Sequence, residues 1–432
     1  MFQACEQNQA VRHGIVAIAA MDVTSLLTRG PCDASGADVS VPRDHYQFAL
    51  QQYSLALRHM HSETTKGEQD LATTLVTIII IVCFETFNGN IDSAFNQITT
   101  GLGLIEQAVE NETLRRPSVD GIAPYTLPGV DEELIRAFAR LDVQAGSFVK
   151  NRTIPGLSRK DFRLADLSSM PAHFRDMSEA KNYSEIIVTQ FVHMSALAIQ
   201  MAQKHGGMDS QKSGSMEKVH VMDLLEPSMS LGQARAHYMH LITQWHDAFV
   251  PILAHARTAA GGADFLAATI LELKYQALRL SIDSIPVAGV PDMIDFMPYF
   301  EEIVSLGRQI LEHTDVIHNK RLFTFESEVI IPLYVAGVKC AHSTTRREAI
   351  GLLSSSRRRE NIWDGVVAAK LAEWIMNVEE EYLEGGYVPK EMRMIQMTAD
   401  FDIAVRKVCV TGLMPTKPSG EIATVKANLS WK

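Results

Sequence analysis

The chain has 432 residues, 46% hydrophobic and 21% charged, with a net charge of −11. That composition excludes disordered and fibrous classes and supports a large core. The acidic balance argues against a free-standing nucleic-acid binder, which draws most of its affinity from basic residues on phosphate. The five cysteines, Cys5, Cys32, Cys83, Cys340 and Cys409, are scattered and odd in number. This pattern fits reduced thiols better than a disulfide framework or a thiolate zinc site.

In chain order, the opening MFQACEQNQAVRHGIVAIAAMD has only a short apolar run and reads as a soluble helix rather than a signal peptide. Over 44–61, Tyr46, Ala49, Leu50, Tyr53, Leu57 and Met60 recur at spacings of three and four, the signature of one apolar helical stripe. LATTLVTIIIIVCF (71–84) is apolar nearly all round but shorter than the roughly 20 residues of a membrane span, so it predicts a buried core helix. Asn88-Gly89-Asn90 should end it, because glycine and asparagine tolerate the left-handed conformation. Phe95, Ile98, Leu102 and Ile105 predict a third helix over 91–109, antiparallel to its neighbours through short connections.

A Pro/Gly-rich loop over 115–130 leads to a helix over 131–148 whose acidic start suits the helix dipole. Irregular chain over 151–176 precedes a long helix at 179–204. The Gly-, Ser- and charge-rich 205–230 predicts a linker or insertion, dividing the chain into 1–204, 205–230 and 231–432. Helices follow over 231–255, which should kink or restart at Pro251, over 263–284, and over 291–318, which should kink or restart at Pro298. Three more fall at 331–341, 345–354 and 361–384. The tail then changes period. Ala423, Val425, Ala427, Leu429 and Trp431 alternate as in a strand, with 403–411 as the expected partner and Gly412–Gly420 as the connection. The expected fold is an all-α, large antiparallel helical body with a small C-terminal β-hairpin.

Several segments resemble the fungal transcription-factor domain of the zinc binuclear-cluster (six-cysteine) regulators. They are HYQFALQQYSLAL (45–57), LVTIIIIVCFETFNGN (75–90), AFARLDVQAGSF (137–148), MPAHFRDMSEAKNY (170–183) and the stretch 332–374 with PLYVAGVKC, RREAIGLL and NIWDGVVAA. The resemblance implies a regulatory body that senses a small molecule, self-associates as a homodimer or contacts other regulators, in the nucleus. The chain holds no six-cysteine segment, so the resemblance does not extend to the DNA-reading part, and direct nucleic-acid or membrane binding is not expected. The alternative is a relative repurposed as a cytoplasmic, cofactor-independent cyclase or isomerase of natural-product biosynthesis, which needs little beyond a shaped pocket and one acid or base.

Candidate catalytic residues are few. Glu85 lies in an apolar helix, where a carboxylate can become an acid or base, although a helix-end carboxylate paired with an arginine, or half exposed, is the commoner reading. Arg140 and Asp142 invite the same two readings. In the segment holding His237, His240, His246 and His255, His237 and His240 share a helix face with Asp247 nearby. No metal or cofactor is expected from these, since two helical histidines are common on solvated faces. Cys340 reads as a small core residue. Arg357-Arg358-Arg359 reads as a solvated turn pairing with Glu348 and Glu360 before it reads as an import signal. Trp245, Phe249, Tyr275, Tyr299 and Phe300 are candidates to line a ligand pocket, and equally to be plain core. The common nucleotide, zinc-protease and serine-hydrolase motifs are absent from the sequence.

Overall fold

A computed structural model describes residues 6, 8–28, 40–66, 70–111, 127–146, 167, 170–206, 230–287, 291–317, 323–402, 407–416 and 421–430. Its first helices are α1 (Gln9–Thr28), α2 (Ser40–Lys66), α3 (Leu71–Asn88), α4 (Ile91–Glu110) and α5 (Glu132–Gly146). The expected core helix is α3. Asp70 caps its start by accepting from the Thr73 amide, and Gly89 ends it at φ 85°. By length and composition α3 could cross a membrane, contrary to the length argument from sequence. In this fold, however, 61% of it is buried. Leu75, Ile78 and Val82 pack on α4 and α5, while Phe84 and Phe87 pack on α1 and α2.

The second half comprises α6 (Met177–Gly206), α7 (Leu231–Ala256), α8 (Phe265–Asp283), α9 (Met297–Ile317), α10 (Ile330–Lys339), α11 (Ser343–Ser356) and α12 (Gly365–Glu379). The expected linker begins within α6, and 207–229 lies outside the described residues. Side chains from both sides of it share one core, where Tyr183, Ile187 and Phe191 of α6 meet Tyr238, Trp245 and Phe249 of α7. Helix α8 is the hinge between two apolar clusters. Leu271, Tyr275, Leu278 and Ile282 face that core, whereas Leu273 and Leu280 face Phe300, Ile303, Leu333 and Leu353.

Two expectations at prolines divide. A short 3₁₀ turn, Met293–Phe296, precedes α9, so Pro298 sits in the first turn of a restarted helix, where its missing N–H costs nothing. Helix α7 instead runs through Pro251 without a break. Asp247 and Pro251 both lie on the exposed face, where water can satisfy the carbonyl that the proline leaves unbonded.

The tail corrects the expected hairpin. Strands β4 (Gln396–Asp402), β5 (Lys407–Pro415) and β6 (Ile422–Ser430) form a three-stranded antiparallel sheet. Gly412, read as a turn residue, lies inside β5 opposite Met397 and Val425. A Cβ there would sit 2.8 Å from the Met394 thioether and 3.1 Å from Trp374, so the glycine permits close packing rather than a turn. A second small sheet joins β1 (Phe323–Thr324), β2 (Arg359–Glu360) and β3 (Trp363–Asp364). It occupies the start of the helix expected over 361–384. Asn361 turns the chain with φ 51°, and Asp364 then caps α12 through the Val366 and Val367 amides.

Candidate functional site

A buried ionic frame joins α10, α11 and α12. Arg346 of α11 is fully buried and donates to the Gly337 carbonyl at 3.1 Å and to Glu379 of α12 at 2.8 Å. The other Glu379 oxygen accepts the Met394 amide at 2.8 Å and lies 3.5 Å from Arg393. Arg393 donates in turn to the Cys340 and Val338 carbonyls at 2.9 and 2.7 Å. One carboxylate thus joins α10, α11, α12 and the approach to β4.

A second knot surrounds Glu360. Its carboxylate accepts the backbone amides of Glu328, Val329 and Ile330 at 2.8–3.1 Å, which satisfies orphan donors at the start of α10. Burial raises the Glu360 carboxyl, against the Arg358 charge and the backbone donors that lower it. Arg358 is buried, 3.6 Å from Glu360 and bonded to Glu328. Arg359 bonds Asp364 at 2.8 Å and the Phe87 carbonyl, tying this knot to α3. The arginine cluster is therefore no solvated turn: two of its members hold the core together, and Glu348 pairs with Arg308 instead. Cys340 packs inside the same region, and burial pushes its thiol up to about 11.

The candidate acids and bases are dispersed. Glu85 is buried and accepts a hydrogen bond from the Tyr53 hydroxyl of α2. Burial and that bond push the Tyr53 phenol far above its ordinary value, and its ring stacks on Phe84 at 4.0 Å. The Glu85 partner is thus a tyrosine, not the arginine expected. Arg140 reaches Glu133, Glu185 and Glu326 at 2.7, 2.9 and 3.4 Å, a tie between α5, α6 and the chain before α10, while Asp142 is buried. His237, His240 and Asp247 are exposed on α7. Among the described residues no group of three or more His, Cys, Asp or Glu side chains is placed to hold a metal.

The pocket candidates occupy three environments. Trp245, Phe249 and Tyr275 are buried in the α6–α7–α8 core, where the Trp245 indole donates to the Ala180 carbonyl at 2.8 Å. Phe300 belongs to the neighbouring cluster, and Tyr299 is half-buried beside it.

What the fold does assemble is a row of polar side chains along the seam of α7, α8 and α9. His246 Nε2 lies 3.1 Å from Glu272 Oε2, and Gln276 donates to Glu272 Oε1 at 2.8 Å. Burial would raise the Glu272 carboxyl, but the His246 and Gln276 hydrogen bonds and the His246 and Arg257 charges outweigh it and hold the group below its usual range. The His246 ring stacks on Tyr275 at 4.0 Å. One turn on, Arg279 donates to the Tyr275 hydroxyl at 3.0 Å. Asp283 closes the row, accepting from the Tyr299 hydroxyl at 2.8 Å and pairing with Arg235 at 3.0 Å. A half-exposed histidine on a buried carboxylate is an arrangement able to hold or pass a proton.

Sequence reasoning named His246 among the α7 histidines but favoured His237 and His240, and it passed over Glu272, Arg279 and Asp283. The available signal was a carboxylate inside the apolar ILELKYQAL segment, four residues from a glutamine that could bond it.

A scan against protein-family models matched none, and searches of curated proteins and of solved structures found no match.

Proposed function

We propose that this chain is a regulatory body of the fungal zinc binuclear-cluster type, working by sensing a small molecule or by contacting other proteins. The observation that supports the reading is where the resembling residues lie. Between 332 and 374, Arg346, Arg358, Arg359 and Asp364 are all engaged in holding helices and strands to one another. Charges used this way suit a scaffold that transmits binding rather than a reaction centre open to substrate. Direct DNA reading by these residues is no part of the proposal, given the net charge of −11. A nuclear site of action follows if the reading holds.

The test is a reporter experiment. The chain, fused to an unrelated DNA-binding module, should change reporter output several-fold relative to the module alone and respond to a fungal small-molecule extract. Unchanged output, together with conversion of an extract component by the purified chain, would overturn it.

One observation favours a second reading, a cofactor-independent isomerase or cyclase: the contact between His246 and Glu272 at a solvent-reachable seam. Under that reading, mass spectrometry finds a new product from the extract, and His246→Ala abolishes it while His237→Ala and His240→Ala do not.

A further inference from the structure

Met394 joins the ionic frame to the C-terminal sheet. Its backbone N–H donates to Glu379 at 2.8 Å. The next N–H, of Ile395, donates to the Leu413 carbonyl at 2.8 Å, where β4 begins to pair with β5. The chain is thus held on both sides of this one residue.

The side chain is held as closely. The Met394 sulfur lies 2.8 Å from the point a Gly412 Cβ would occupy, and the Trp374 ring lies 3.1 Å from the same point. Thioether and indole therefore meet over a glycine, where any side chain would displace one of them. Met397 stands directly across from Gly412 in the β4–β5 register, on the same sheet face. On α12, Val367, Leu371 and Trp374 follow at helical spacing and pack against Val408 and Val410 of β5. The Met394 thioether closes one end of this contact between helix and sheet.

That sulfur is open to chemistry its neighbours escape. Met394 is half-buried, whereas Met392, two residues earlier, and Met414, two beyond Gly412, are buried.

We propose that Met394 is a site of reversible oxidation by hydroperoxides, and that its sulfoxide loosens the C-terminal sheet from α12. A sulfur lone pair attacks one peroxide oxygen, the S–O bond forms as the O–O bond breaks, and the other oxygen leaves as water. Sulfur loses two electrons and the peroxide gains them. The product is polar and larger by one oxygen. The side of the thioether on Gly412 and Trp374 is apolar and filled, so the sulfoxide turns to solvent and the contact opens. The disturbance begins at a residue bonded to Glu379, the carboxylate that also fixes Arg346 and Arg393. The proposal is independent of both functional readings.

Mild hydrogen peroxide treatment of the full chain, followed by peptide mass spectrometry and amide hydrogen exchange, tests it. Met394 sulfoxide should form ahead of the Met392 and Met414 sulfoxides. Amide protection in β5 and β6 should then fall about tenfold, the scale of one lost sulfur–aromatic contact. Methionine sulfoxide reductases with a thiol reductant should restore it. Met394→Leu, which keeps the volume without an oxidisable sulfur, should hold its protection through the same treatment. Met394→Gln, polar and of similar length, should show the reduced protection without peroxide. Met394 oxidised no faster than its buried neighbours would overturn the proposal. So would unchanged protection in the oxidised chain, or an equal loss in Met394→Leu, which would assign the effect to another methionine. Recovery with the thiol alone would assign it to Cys409, exposed on β5, and would overturn the proposal equally.

Discussion

The ionic frame around α10–α12 and the polar seam of α7–α9 use the same residue types to different ends. In the frame, Arg346 and Glu379 are 0% and 2% exposed at their side chains, and their contacts are nearly all protein. In the seam, Arg235 is 41% and His246 24% exposed, and His246 also stacks on an aromatic ring. Burial raises the cost of leaving a charge unpaired, so losing either member of the Arg346–Glu379 pair should be expensive. Partial exposure lessens that penalty, so charges in the seam need not be matched one to one. The contrast teaches where to look for function: at charges the fold can hold without having to neutralise them.

Removing Glu379 tests the frame most severely. Glu379→Ala leaves Arg346 buried without its carboxylate and should cost about 3–5 kcal/mol, read as a lower urea midpoint. A loss below about 1 kcal/mol would show that water reaches Arg346 and that the frame is no more sealed than the seam. Under the seam, Phe249→Ala opens a cavity beside Trp245 and should also cost about 3–5 kcal/mol. If Phe249 lined an accessible pocket instead, the change would alter ligand binding more than stability.

The two carboxylates that anchor these regions should respond to acid with opposite signs. Glu272 is held low, so its contribution is fully present above the unfolded-chain value and is lost as pH falls through its folded value. Burial raises Glu360, so the folded state binds its proton more readily and that group's contribution improves as pH falls through its folded value. In urea midpoints taken from about pH 7 to about pH 3, Glu272→Gln should remove part of the acid-side loss, and Glu360→Gln should remove part of an opposing gain. Slopes changing in the same direction would dissolve the distinction. The smallest effect belongs to the exposed end of the seam, where Asp283→Ala breaks the Arg235 pair and should change stability by no more than about 1 kcal/mol.

Much of the helical scaffold was legible because its signals are local. The stripe Tyr46–Met60 and the Asn88-Gly89-Asn90 stop each predict their element without reference to distant residues, and α2, α3 and α4 follow them closely. The candidate site was less legible. His240 and His246 stand in one helix with similar neighbours in sequence, and only the position of Glu272 on α8 distinguishes them. The three-stranded sheet was half seen. The alternation in β6 marks a strand, but β4 packs without a clean period, and Gly412 looks like a turn until Trp374 and Met394 are placed against it.

By itself, then, the sequence determined the helical class, most helix boundaries and the change to strand at the tail, because periodicity and capping act over one or two turns. The tertiary structure decided which charges are sealed and which remain available. Arg346 and Glu379 lie 33 positions apart, Arg358 and Glu328 lie 30 apart, and His246 and Glu272 lie 26 apart. Whether such residues neutralise one another depends on how helices pack, and packing is a property of the whole core rather than of any segment.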